Sequence, residues 1–323
     1  MYLSGKTILL TGGTGSFGNA FVRRVLDEFP TAVIRIYSRD ELKQSEMATR
    51  LDHHPNLRFF IGDIRNKARL TRATQGADIV IHAAAMKQVP ACEYNPFEAV
   101  QTNILGSQHV VDAAIDSGVE KVVALSTDKA VNPVNLYGAT KLCEEKIVVQ
   151  GNSYAGAGET RLACVRYGNV VGSRGSVVPV FERLRDEGKS MTITDERMTR
   201  FWLTLDSAVD LVMYALENMH GGEVFVPRIP SMRVTDLATA IAPDLPHEYV
   251  GIRPGEKLHE MMLTADEARH TIRVGDVFVV LPESPSWMKG TDWQGESLPD
   301  GFEYSSGDND QWLDSTQLEE MLG

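Results

Sequence analysis

What the sequence lacks narrows the field first. No apolar run approaches the roughly 18 residues that a membrane helix requires. The opening MYLSGKTILLTGGTG is broken by glycines within a few residues, so it does not read as a signal peptide. Only three cysteines occur, Cys92, Cys143 and Cys164, widely spaced and without CxxC. They read as free, mostly buried thiols in a reducing, cytoplasmic setting. Positive charge is also scarce: 32 Lys+Arg face 44 Asp+Glu, a net charge of −12. Nucleic acid and anionic membrane are therefore poor partners, although local cations can still receive a small anion. The eight histidines show no metal-ligand spacing, so no metal is expected. His53-His54 reads as a polar loop and His259 as a helix-face residue. There is no internal repeat and no low-complexity tract. A hydrophobic fraction of 43% and a charged fraction of 24% exclude a disordered chain, a collagen-like repeat and a coiled coil.

Over the first 170 residues, short β-branched runs alternate with amphipathic ones. Strands are expected at 6–11, 33–38, 57–62, 78–82, 121–126 and 163–167. Helices are expected at 17–29, 40–51, 70–75, 99–117 and 137–154. Nearly continuous apolar strands are those of a parallel sheet covered on both faces. Strand-helix alternation makes this α/β, a Rossmann-like doubly wound parallel sheet. After Tyr167 the rhythm breaks. Helices at 178–187, 206–219 and 234–241 and strands at 191–194 and 223–226 suggest a smaller mixed α/β region. The division is 1–170 for the dinucleotide and 171–323 mainly for substrate, some later segments returning to the first part. The Pro-, Gly- and Ser-rich stretch 283–301 reads as a loop, and 311–322 as a terminal helix.

Thr11-Gly12-Gly13-Thr14-Gly15-Ser16-Phe17-Gly18 follows the first strand and opens the first helix. Gly12 permits the tight turn, Gly15 lets backbone approach a pyrophosphate, and Gly18 lets helix and sheet pack closely. The helix start then offers N–H groups and a favourable dipole to phosphate, with Thr14, Ser16 and Phe17 around it. An NAD site places an acid at the end of the second strand. This chain has Ser38-Arg39 there and Lys43 one turn on, which suits the 2′-phosphate of NADP. The other reading of Arg39-Asp40-Glu41 is a solvated helix start. Asp63 and Ile64 would flank the adenine, and Ala83 would floor the nicotinamide half.

Tyr137 and Lys141 are spaced i, i+4 on one helix face. Ser126 and Thr127 end the preceding strand. A phenol works as a base near neutral pH only if its pKa falls, and an adjacent ammonium favours that. The glycine loop, the Ser/Thr strand end and YxxxK together mark a short-chain dehydrogenase/reductase.

Here the chain resembles a known family, the extended short-chain dehydrogenase/reductases that modify nucleotide sugars. Within them it is similar to the inverting UDP-N-acetylglucosamine 4,6-dehydratases of pseudaminic-acid pathways. The stretches that carry the likeness include YSRDELKQSEM (37–47), HAAAMKQVP (82–90), STDKAVNPVNLYGATKL (126–142), RYGNVVGSRGSVVP (166–179), ITDERMTRFW (193–202) and GIRPGEKLHE (251–260). The resemblance implies oxidation of C-4, which makes the C-5 proton acidic, then loss of the C-6 hydroxyl as water and return of the hydride to C-6. NADP is thereby recycled. It implies Tyr137 as base for the 4-hydroxyl, Lys129 as base at C-5, and Asp128 as the group that helps protonate the leaving hydroxyl, with Thr127 alongside. A lysine base must be neutral, so desolvation or a cationic neighbour is expected to lower its pKa. Reprotonation on the opposite face inverts C-5. A structural ion pair is the other reading of Asp128-Lys129.

The resemblance also implies UDP-N-acetylglucosamine as substrate, with Lys87, Ser126 and Thr127 facing the sugar. Asn169 would bond diphosphate or sugar, the backbone of 170–174 would lie along the nicotinamide, and Val177 and Thr194 would border the uridine. Arg253 and Glu256 would take diphosphate and ribose hydroxyls, or form a surface ion pair. Arg200 is either a further cation of the site or a buttress of the fold. The resemblance implies a homo-oligomer, dimer or hexamer, through helices 99–117 and 137–154; the other reading of these helices is that they are internal. A UDP-sugar 4-epimerase shares Tyr137, Lys141 and RPGEK but has no use for a base-acid pair at C-5 and C-6. A non-catalytic dinucleotide sensor would typically lose Tyr137 or Lys141.

Overall fold

The computed structural model describes residues 2–156, 160–173, 176–283 and 293–322. Six strands expected from the sequence are present: β1 Thr7–Thr11, β2 Val33–Ser38, β3 Leu57–Ile61, β4 Ile79–His82, β5 Lys121–Leu125 and β6 Arg161–Val165. They run parallel, in the order β3-β2-β1-β4-β5-β6. β1, β5 and β6 each bury four consecutive residues, as strands covered on both faces must. The order of strand addition reverses between β1 and β4, and ligands of such sheets bind at the carboxyl ends beside that switch point.

Four later strands extend the same sheet beyond β6: Val224–Pro227, then Val277–Val280, Thr271–Val274 and Glu296–Ser297. Val224–Pro227 joins β6 in parallel, and the rest add antiparallel. The hairpin 271–280 was not expected. Its turn, Gly275-Asp276, carries the positive φ of +59° at Gly275 that a two-residue hairpin loop needs. Part of the expected loop 283–301 thus becomes an edge strand, and 284–292 lies outside the described residues. A second apolar cluster gathers Phe181, Met191, Ile193, Trp202, Met232 and Leu237 from the segments after β6.

Helix Ser16–Glu28 packs Phe17, Phe21, Val22 and Val25 inward, a helical stripe. Helix Leu136–Ala155 starts at Asn135, whose side chain accepts from Gly138 N. The expected helix 99–117 is interrupted. A short helix Pro96–Ala99 leads into a π-helical stretch Val100–Leu105, and regular helix resumes at Gly106–Asp116. The wider turn aims buried Asn103 sideways: Oδ1 accepts from Met86 N at 2.8 Å, and Nδ2 donates to Met86 O and Thr140 Oγ1, both at 2.9 Å. The terminal helix starts at Ser315, later than expected. Leu313 N donates to Ser231 O at 2.9 Å, and Asp314 Oδ1 accepts from Gln317 N at 2.8 Å. His259 is not on a helix; its Nδ1 lies 2.8 Å from Thr199 Oγ1. Cys92 and Cys164 are buried and Cys143 is exposed, all three free. Among the described residues, no helix is long and apolar enough to cross a membrane and no side-chain group is arranged to hold a metal ion.

Candidate active site

A cleft of about 730 Å³ opens over the carboxyl ends of the parallel strands. Its floor begins at Gly12, which has φ +66°. A Cβ there would sit 2.8 Å from the backbone of Ala83 and Ala84, so the close crossing of the two strand ends requires glycine. A Cβ on Gly18 would strike the backbone of Gly13. Gly15 caps the first helix and has no side chain to satisfy the first turn. Backbone approach, an uncapped helix start and space above it make a cradle for pyrophosphate. Thr14, Ser16, Phe17, Ile64 and Ala83 also line the cleft. So do Ser38, Arg39, Lys43 and Asp63. Arg39 lies 3.9 Å from Asp63, and Lys43 lies 3.0 Å from Asp40. Burial opposes the charge on Asp63, but hydrogen bonds from Arg65 outweigh it and hold the carboxyl below its ordinary range.

The reactive end brings together Ser126, Thr127, Lys129, Tyr137, Lys141, Lys87 and Asn169. Ser126 Oγ is buried without a hydrogen-bond partner. Asp128 is fully buried beneath this lining; its Oδ1 accepts from Thr127 Oγ1 at 2.8 Å and from Lys129 Nζ at 3.0 Å. Lys129 Nζ also lies 3.4 Å from Glu260 Oε1 and 3.5 Å from Asn169 Oδ1. The cleft lining does not include Val177, Thr194, Arg253 or Glu256. Arg253 is exposed and 3.8 Å from Glu256. One Glu256 oxygen, Oε2, is nonetheless buried without a partner. Residue 174 lies outside the described residues.

Two electrostatic expectations are corrected. Desolvation does oppose the charge on Lys129, but Asp128 and Glu260 overcome it, so its pKa is raised rather than lowered. Tyr137 is also raised: burial dominates, and the Glu144 carboxylate adds to it. The expected help from Lys141 is diverted, because its Nζ donates to Glu144 Oε2 at 2.5 Å and to Leu125 O at 2.7 Å. Asp128 moves upward through burial, against the pull of Lys129. Lys87 moves downward through desolvation and then the charge of Lys129.

The sequence reading missed Glu260, Lys257 and Glu144. Glu260 is buried and lies 3.7 Å from Arg200 Nε and 3.8 Å from Lys257 Nζ. Arg200 also donates to the carbonyls of Thr199, Lys257 and Leu258, which makes it a buttress. Glu260 and Lys257 stand in the stretch GIRPGEKLHE, but nothing in their spacing says that the chain returns them to Lys129. Glu144 was within reach of the reading, one helical turn after Lys141.

Residues 8–282 match the family model described as "Polysaccharide biosynthesis protein". The chain belongs to that family, within the extended short-chain dehydrogenase/reductases. Among its relatives, a protein of Campylobacter jejuni named UDP-N-acetylglucosamine 4,6-dehydratase (inverting) is 51% identical, over 98% of this chain and 97% of its own. A Rickettsia conorii protein named UDP-glucose 4-epimerase is 46% identical over 81% of this chain and 79% of its own. The X-ray structure of Pen from Bacillus thuringiensis superposes with a TM-score of 0.92, 38% identical, covering 100% of this chain and 98% of that one. The Rossmann-like architecture and the grouping with nucleotide-sugar enzymes thus agree with the sequence reading.

Proposed function

We propose that this member of the family is an NADP-dependent UDP-N-acetylglucosamine 4,6-dehydratase that inverts C-5 and feeds pseudaminic-acid-type sugar synthesis. The observation that carries the reading is the Lys129–Asp128 pair at 3.0 Å, its amine in the cleft that Tyr137 and Lys141 also line. A 4-epimerase needs only the Tyr137 half of that cleft. Arg39 and Lys43 at the outer edge support a 2′-phosphate.

Tyr137 takes the proton of the 4-hydroxyl. When bound, the nicotinamide supplies a hydride acceptor for C-4 and afterwards a hydride donor for C-6. The C-5 proton, now alpha to a ketone, goes to Lys129. For that the amine must be free. In the closed-off site the proton on Lys129 moves along the 3.0 Å contact to Asp128, converting an ion pair into an amine and a carboxylic acid. Covering the pair with a hexose favours this, since desolvation penalises both charged forms. The upward shift of Asp128 agrees with it. Asp128 then gives that proton to the departing C-6 hydroxyl. Reprotonation on the face of C-5 away from Lys129 then inverts that centre. Lys87 and Asn169 face the sugar, and Arg253 and Glu256 hold the diphosphate and ribose, the unpartnered Glu256 Oε2 accepting a hydroxyl.

Incubation with UDP-N-acetylglucosamine and NADP tests the assignment. The reading expects a product lighter by one water, a 4-keto-6-deoxy sugar with L-arabino couplings. A product of unchanged mass would make the chain an epimerase, and no turnover would leave a dinucleotide sensor.

A further inference from the structure

Glu144 has no part in the steps above, yet it touches Lys141, the ammonium on which Tyr137 would rely as a base. It is 1% exposed, on helix Leu136–Ala155 one turn beyond Lys141. Its Oε2 accepts from Lys141 Nζ at 2.5 Å, while Oε1 is buried without a hydrogen-bond partner. The lysine of YxxxK therefore does not carry a bare positive charge. It is half of a buried ion pair whose other half can be switched off by one proton.

We infer that Glu144 is a positioning residue that sets how much of the Lys141 charge reaches Tyr137, and so the pH range in which the phenol can act as a base. This rests on the reading of Tyr137 as the C-4 base. With Glu144 ionised, the pair is close to neutral and the phenolate lacks support. With Glu144 protonated, the ammonium acts on the phenol alone and favours the phenolate. The device thus opposes pH: acidification, which should silence a phenolate, also removes the charge that disfavours it.

The surroundings allow this. On its own helix, Glu144 faces Lys141, Glu145 and Tyr137. Glu145 is committed to Arg166, whose Nη2 lies 2.7 Å away. From the 106–116 helix comes Ser107, which pulls the carboxyl downward; its Oγ donates to Asn103 O at 2.7 Å and lies 3.0 Å from His82 Nε2. His82, on β4, is buried and pushed down to about 3 by burial first and Lys141 second, so it stays neutral. Cys164, on β6, is pushed well up by burial and stays a thiol. Glu144 itself is raised to about 7, chiefly by burial, against the pull of Lys141. Within this cluster it is the group placed to change charge near neutrality.

Two titrations of the cofactor-free protein test the inference. The infrared band of a protonated carboxylic acid should disappear with a midpoint near neutrality in the wild type, and that component should be missing from Glu144→Gln. Ultraviolet phenolate absorbance, isolated by subtracting Tyr137→Phe, should show Tyr137 ionising at lower pH in Glu144→Gln, with proton affinity weakened about tenfold. Glu144→Asp, which keeps the charge, should restore wild-type behaviour. Asp128 is also raised, so the band is assigned to Glu144 by its absence from Glu144→Gln or, should that variant fold poorly, from Glu144→Leu. A wild-type carboxyl that titrates with ordinary glutamates, or a Tyr137 titration unmoved by Glu144→Gln, would overturn the proposal. If Tyr137→Phe turns over normally, the C-4 base assignment fails instead, and the titrations still report on the pair.

Discussion

The Lys129 ammonium stands between two buried carboxylates, 3.0 Å from Asp128 and 3.4 Å from Glu260. Glu260 is the less obvious of the two, since Arg200 and Lys257 share it. Burial works against its charge, but Lys129 and then Arg200 hold the carboxyl below its ordinary range. Glu260→Gln leaves three cations without their common anion. Breaking a buried pair this way costs about 3–5 kcal/mol. Urea unfolding should show that loss as a lower midpoint at an unchanged slope. An unmoved midpoint would mean that solvent already screens the cluster.

Gly12→Ala should be damaging on two counts. The φ of +66° strains any side chain, at about 1–3 kcal/mol, and the new Cβ would meet the Ala83 and Ala84 backbone at 2.8 Å. Dinucleotide affinity should drop with stability. Calorimetric titration of NADP into a folded variant that binds as tightly as wild type would contradict the cradle.

Cofactor preference should reside in Arg39 and Lys43. Replacing Arg39 with Ala removes a charge-assisted contact, each of which contributes about 1.5–3 kcal/mol. The dissociation constant for NADP should rise about tenfold or more while that for NAD stays put. Parallel losses for both dinucleotides would show that Arg39 does not read the 2′-phosphate.

The acid limb of stability should trace to Glu267. Burial raises its carboxyl, but buried Arg166, 2.8 Å away, more than offsets that and leaves it depressed. A depressed carboxyl contributes fully above its unfolded pKa of about 4.3 and loses that contribution as pH falls through its folded value. Thermal unfolding between mildly acidic and strongly acidic buffer should therefore decline less steeply in Glu267→Gln than in wild type. Equal slopes would place the acid sensitivity elsewhere.

Much of the fold was open to reading because β1, β4, β5 and β6 are buried on both faces and show it as short, nearly continuous apolar runs. The glycine cradle was legible for a related reason: Gly12 and Gly18 stand where backbone must pass backbone. The π-helical stretch was hidden, since nothing in the sequence of Val100–Leu105 marks a wider turn and only the Asn103 contacts with Met86 and Thr140 reveal it. The 271–280 hairpin carried its signal in Val274-Gly275-Asp276-Val277, two β-branched flanks around a turn pair, and was overlooked among later irregular segments. The charge states at the site were not legible. Spacing puts Lys141 beside Tyr137, but the Glu144 carboxylate, also visible by spacing, takes up that ammonium. Spacing cannot bring Glu260 to Lys129 at all, because strand Met261–Leu263 and the segment before it must first dock against the 128–130 turn.

The most direct measurement compares wild type with Lys129→Ala in heavy water, given UDP-N-acetylglucosamine and NADP. Wild type should incorporate deuterium at C-5 of the product, whereas the variant should still oxidise C-4, visible as reduced nicotinamide absorbance, but leave C-5 protonated and release no water. Deuterium entering C-5 of the sugar at the wild-type rate in Lys129→Ala would contradict the assignment of the amine as the C-5 base.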